Sequence, residues 1–149
     1  MRKAKDIMTK SVITVRPETP VNELAKILIE HGINGVPVVD EQGNLKAIVT
    51  QADLIDQTKK LHIPTVIGLL DSVIFLESPK KFEMELKKMA GNTAWDICTQ
   101  KVVTTEEETP VEEVASLMVE KHLDTIPVVR QGRLVGIIGR VDVVKSLIA

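Results

Sequence analysis

Aromatic rings are scarce in this chain. Tyrosine is absent, and Trp95, Phe75 and Phe82 make up the 2% of aromatic residues. The core must therefore be aliphatic, and the stacking platforms that grip single-stranded nucleic acid have no rings to use. A net charge of -2 and a pI near 5.9 leave no electrostatic footprint for a polyanion, so no nucleic-acid partner is expected. Cys98 is the only cysteine, so no internal disulfide can form and nothing points to an oxidising compartment. Long apolar runs are missing too. Val66-Ile67-Gly68-Leu69-Leu70 is cut by Asp71, far short of a bilayer's thickness. The basic start from Met1 to Asp6 is followed by no apolar signal core. The expectation is a soluble, cytoplasmic protein with no membrane partner.

What is present is a chain that repeats itself at a spacing of ninety residues. Asp6-Ile7-Met8-Thr9 returns as Asp96-Ile97-Cys98-Thr99, and Thr19-Pro20-Val21 returns as Thr109-Pro110-Val111. Val36-Pro37-Val38-Val39 returns as Ile126-Pro127-Val128-Val129. After a one-residue deletion, Thr50-Gln51-Ala52-Asp53 matches Gly139-Arg140-Val141-Asp142. Two such copies can pack about a pseudo-two-fold axis, and the seam of such a pair favours small ligands. With 149 residues, 44% of them hydrophobic, the chain can bury one sizeable core or two small ones.

Each copy reads as strand, helix, strand, turn, strand, helix. Val12-Ile13-Thr14-Val15 is strand-like by its β-branched content. Thr19 is placed as an N-cap with Pro20 at the first helical position, and Val21, Leu24, Ala25 and Leu28 form one apolar face ending near Gly32. Val111, Val114, Ala115 and Met118 repeat that face, with a capping box expected from Thr109 to Glu112. Hairpins follow, Val36 to Val39 with Leu45 to Val49, and Ile126 to Val129 with Leu134 to Ile138. A second helix then starts near Thr50 and near Gly139. The expected division is a first repeat at 1–60, a connecting segment at 61–93 with a helix near 79–90, and a second repeat at 94–149. Neither repeat has enough apolar surface to close a core alone, so their sheets should face each other.

With these elements in order, the chain resembles a tandem pair of CBS (cystathionine β-synthase) domains, a Bateman module. Three elements carry the resemblance in each copy: Asp-Ile-x-Thr, the apolar-Pro-Val-Val run, and the strand ending in Thr-x-x-Asp or Gly-x-x-Asp. The resemblance implies an α+β fold of two β-α-β-β-α repeats packed with pseudo-two-fold symmetry through their sheets. It further implies a regulatory module rather than an enzyme. Such a module requires no cofactor, binds AMP, ADP, ATP or another adenosine derivative between the repeats, and associates into a homodimer. A regulated protein partner would read its state.

Carried over residue by residue, one cleft would use Ile48, Thr50 and Asp53 with Val103, Asp124 and Thr125. The other would use Ile137, Gly139, Arg140 and Asp142 with Ile13, Ile33, Asn34 and Gly35. A carboxylate at the start of a helix can accept hydrogen bonds from the two vicinal hydroxyls of a ribose, each worth roughly 1.5–3 kcal/mol. The N-terminus of the same helix favours a phosphate. The chain departs from the family at Asp124, an acid that would repel a phosphate, and at Gly139, which lacks a hydroxyl that Arg140 would have to replace. Either one cleft is occupied and the other empty, or the ligand is less anionic than ATP.

Other readings stay open. Thr50-x-x-Asp53 is equally a capping box that stabilises a helix and binds nothing. Asp142 stands where Gly139 offers no side-chain oxygen, so a reciprocal cap is not its whole explanation. A structural homodimerisation module with vestigial clefts is the alternative, and a small enzyme is the third. No nucleophile-base pair or Gly-rich phosphate loop supports catalysis. His31, His62 and His122 lack paired spacing, so no metal site is expected, though His31 and His122 lie near the ends of matched helices, where contact with a phosphate is a minor reading. Trp95 reads as a plug in a seam and Cys98, in the place of Met8, as a small apolar filler.

Overall fold

The computed structural model describes residues 2–61 and 92–148. The helix expected near 79–90 and the apolar stretch from Ile63 to Leu70 lie outside the described residues. The first half holds α1 (Ala4–Ile7), α2 (Val21–His31), β1 (Gly35–Val39), β2 (Leu45–Thr50) and α3 (Gln51–Leu61). The second holds α4 (Ala94–Ile97), β3 (Thr105–Glu106), α5 (Val111–Glu120), β4 (Thr125–Arg130), β5 (Arg133–Gly139) and α6 (Arg140–Ile148).

Helices α2 and α5 bury the faces their apolar spacing dictates, Val21, Leu24, Ala25 and Leu28 in one and Val111, Val114 and Met118 in the other. Their caps differ from expectation by one residue. Pro20 and Pro110 are the N-caps, with the extended backbone that position requires. Thr19 Oγ1 instead accepts the Arg16 N–H at 3.0 Å, and Thr109 Oγ1 accepts the Glu106 N–H at 3.2 Å. Both hydroxyls close the turn before the helix, so no capping box forms between Thr109 and Glu112.

The hairpins form as the sequence pattern requires. Strand β1 pairs antiparallel with β2, and β4 with β5, each with a bulge at the matched steps Val38/Val39 and Val128/Val129. The first strands are shorter than expected. Val12 to Val15 contributes one parallel bridge, Val15 to Val38, and its counterpart is the two-residue β3 beside β4. Val12 and Ile13 leave the sheet to wall a cavity, and Pro17 has no N–H with which to extend the pairing.

The two cores are closed crosswise. Ala94 and Ile97 of α4 are buried among Leu24, Leu28, Val36 and Val49 of the first half. Ala4 of α1 is buried among Val114, Ile126, Val128 and Ile138 of the second. Burying an isoleucine such as Ile97 contributes roughly 1.5–3 kcal/mol, so each arm is a wedge in the other half's core. Matched backbone hydrogen bonds hold the arms: Ala4 N–H to the Thr109 carbonyl at 2.7 Å, and Ala94 N–H to the Thr19 carbonyl at 2.8 Å. The Asp-Ile-x-Thr motif thereby acquires a structural meaning. Its Asp caps the arm helix, with Asp6 Oδ2 accepting the Lys3 N–H and Asp96 Oδ2 the Thr93 N–H, both at 2.8 Å. Its Thr bridges to the opposite sheet, Thr9 to Ile137 and Thr99 to Ile48.

On the axis itself the hairpin turns meet. Leu45 N–H donates to the Gly132 carbonyl at 3.0 Å and Leu134 N–H to the Gly43 carbonyl at 3.2 Å. The fold is therefore an α+β pair of repeats related by a pseudo-two-fold axis and packed through their sheets. No helix among the described residues is long and apolar enough to cross a membrane.

Candidate functional site

Symmetry about that axis leaves two clefts between the halves. The cleft at Asp142 has a volume of about 260 Å³. On its walls stand Ile137, Gly139, Arg140 and Asp142 from the end of β5 and the start of α6. Ile13, Ile33, Asn34 and Gly35 come from the other half. The cleft at Asp53 has a volume of about 330 Å³ and brings together Ile48, Thr50 and Asp53 with Val103, Asp124 and Thr125. Every residue proposed from the sequence thus borders one of the two cavities. The sequence reading did not place Thr9, Ser11 and Val12 in the first, nor Thr99 and Lys101 in the second, while His122, its minor candidate for a phosphate contact, does border the second. Thr9 and Thr99 close the repeated Asp-Ile-x-Thr motif, and their matched positions were the signal available.

The two carboxylates are held alike but are not equally engaged. Asp53 Oδ2 accepts the Thr50 N–H at 2.9 Å, while Asp53 N–H donates to Thr50 Oγ1 at 3.1 Å. This is a complete capping box. Its second oxygen, Oδ1, accepts the Thr99 hydroxyl at 2.9 Å. In the matched position Asp142 Oδ2 accepts the Gly139 N–H at 2.8 Å. Its Oδ1 has no hydrogen-bond partner among the described residues. Gly139 removes the reciprocal hydroxyl, although a Cβ there would make only ordinary contact, 3.8 Å from Asp142 Oδ2. In one cleft both carboxylate oxygens are therefore engaged, and in the other only one is, among the described residues.

Each wall carries two carboxylates against one permanent cation, so both are acidic. Arg140 Nε sits 2.7 Å from Asp124 Oδ1, so the guanidinium expected to stand in for a hydroxyl is already paired. Lys101 is the cation of the Asp53 cleft, against Asp53 and Asp124. His122 borders the same cleft in a left-handed backbone conformation, φ 54°. His31 is exposed, and no group of three or more His, Cys, Asp or Glu side chains converges among the described residues. Trp95, expected to plug a seam, is instead 43% exposed, and its backbone N–H donates to the Pro17 carbonyl at 3.0 Å. Cys98 packs against the first core, and burial, aided by the Asp53 and Asp96 carboxylates, pushes its thiol up, which disfavours the reactive thiolate.

The family model for the CBS domain matches residues 4–59 and 94–149. A CBS domain-containing protein of Dictyostelium discoideum is 34% identical over 145 residues, covering 97% of this chain and 90% of that one. The CBS domain pair of protein MJ0100, solved with 5′-methylthioadenosine and S-adenosyl-L-methionine, shares 30% identity. That match has a TM-score of 0.70 and covers 99% of this chain and 96% of that one. CBSX2 of Arabidopsis thaliana, solved with AMP, has a TM-score of 0.74 at 24% identity, covering 99% and 97%, a likeness of fold. With two matched repeats, their sheets and their crossed arms in place, the chain belongs to the CBS domain family as a tandem pair.

Proposed function

We propose that this chain is a non-catalytic regulatory module that takes an adenosine-containing ligand between its repeats, first of all in the Asp142 cleft. The observation that carries the reading is Asp142 Oδ1, an anionic acceptor with no hydrogen-bond partner among the described residues, held at a helix start beside an apolar slot. Two vicinal ribose hydroxyls match such an acceptor, and the β-branched walls from Ile13, Ile33 and Ile137 suit a flat base. The nucleosides bound by the MJ0100 pair belong to this class. Neither cleft carries a net positive wall, which favours AMP or a less anionic adenosine derivative over ATP.

The apolar face of α5 and α6 supports a homodimer as the state in which occupancy is read. Val119, Val144, Leu147 and Ile148 are each more than half exposed. A ligand across the seam would bias the angle between the halves by its differential affinity for the two arrangements. With both oxygens already engaged by Thr50 and Thr99, Asp53 favours a second reading for its own cleft, that of a vestige whose carboxylate serves the helix cap and the arm.

A thermal-shift panel of adenosine, AMP, ATP, NAD and S-adenosylmethionine tests the proposal, since a ligand that binds only the folded state raises the midpoint. Asp142→Ala is expected to weaken the responding ligand by on the order of tenfold, the scale of one or two hydrogen bonds to a charged acceptor. Asp53→Ala should cost less. A flat panel, or an Asp142→Ala variant that binds like the parent, would leave the dimerisation module as the function.

A further inference from the structure

At the centre of the molecule the pseudo-symmetry of shape is broken by charge. Asn34 and Asp124 occupy matched positions, and each borders both clefts. Gln51 and Arg140 are also matched. Each donates its backbone N–H to the carbonyl of that central residue, Gln51 to Asn34 at 3.0 Å and Arg140 to Asp124 at 3.2 Å. On one side the central pair is neutral. On the other it is an ion pair, with Arg140 Nε 2.7 Å from Asp124 Oδ1. Arg140 borders the Asp142 cleft but not the Asp53 cleft, whereas Asp124 belongs to both. With the two side chains 62% and 51% exposed, the pair is well hydrated and holds its partners weakly. Arg140 can exchange a carboxylate for another anion at little cost.

We propose that the Asp124–Arg140 ion pair links the two clefts according to ligand charge. An anionic 5′ group taken up beside Asp142 draws Arg140 from Asp124, and the bared carboxylate then opposes a second anion in the Asp53 cleft. An uncharged nucleoside leaves the pair closed and feels no link. The inference rests on the adenosine-ligand reading of both clefts, and the opposition is reciprocal, as any linkage between binding sites must be.

Isothermal titration with AMP and with adenosine provides the test. Ile13→Trp fills the Asp142 cleft and Val103→Trp the Asp53 cleft, so in each variant the remaining cleft is measured alone. For AMP, the product of the two single-cleft association constants should exceed the parent's overall two-step constant by about three- to fivefold, the scale of an exposed charge pair. The excess should shrink in high salt. For adenosine the product and the overall constant should agree. In the Ile13→Trp background, Asp124→Asn should strengthen AMP binding at the Asp53 cleft and Arg140→Gln should weaken it, each by about threefold. A merely structural role would move both variants in one direction. AMP binding with no excess, or an equal excess for adenosine, overturns the link and leaves the ligand reading standing. Failure of every nucleoside to bind removes both.

Discussion

His122 holds φ at 54° where its matched residue, Gly32, holds 59° at the end of α2. An L side chain in this left-handed region costs roughly 1–2 kcal/mol, against roughly 0.5–1 kcal/mol lost to the freer unfolded chain on replacing it with glycine. His122→Gly is therefore expected to raise stability by about 0.5–1 kcal/mol. A chemical-denaturation midpoint that moves down would refute this. The residue that carries this strain borders the Asp53 cleft, the kind of place where strain is retained for a purpose. Elsewhere the two halves solve one packing problem in opposite ways. A Cβ on Gly136 would overlap the Met8 sulfur, whereas the matched positions hold Ala47 and the smaller Cys98. Asp142 stood out in the sequence because Gly139 has no hydroxyl for a reciprocal cap, although Asp142 Oδ2 still caps the Gly139 N–H. The partner of Asp53 did not, because a threonine on an arm, Thr99, carries no sign of which carboxylate it meets.

At the level of elements, the hairpins and the long helices were legible because their apolar residues recur with the periods of a strand and a helix. The arms were not. Four residues such as Ala4 to Ile7 show no period, and nothing local says that they close the other half's core. The arms also differ in charge. Lys3 and Lys5 reach Glu108 at 2.5 and 2.7 Å, while the matched positions are Thr93, Trp95 and Glu18. Hydrogen bonds from Lys3 and Lys5 hold the Glu108 carboxyl down to about 2, from an ordinary 4.5. A carboxyl depressed in the folded state adds stability above its unfolded value and loses it as pH falls through the folded one. The grip on α1 should thus weaken between pH 4.5 and about 2. Amide exchange at Ala4, corrected for intrinsic rates, is expected to quicken over that window more than at Ala94. Glu108→Gln should abolish the difference. Equal behaviour of the two arms would show that the lysines do not matter. The group is exposed, so the effect should also fade with salt.

The whole molecule presents its apolar surface unevenly. Val141 is 63% exposed, Val144 57% and Leu147 77%, all on α6, and Val119 on α5 is 74% exposed. If this face joins two copies, light scattering on the parent should give about twice 16.4 kDa, and Val144→Asp with Leu147→Asp should give one copy. A parent that runs as a single copy would remove the dimer from the proposed function. The crossed arms add a constraint of another kind. Since Ile97 plugs the first core and Ala4 the second, the halves are not two beads on a string but two clasped hands. Prising them apart opens both interiors in one event, and neither half can be excised without leaving a hole in what remains. A tilt imposed at the seam is therefore felt directly among the buried side chains. Any signal this protein sends begins in its hydrophobic interior.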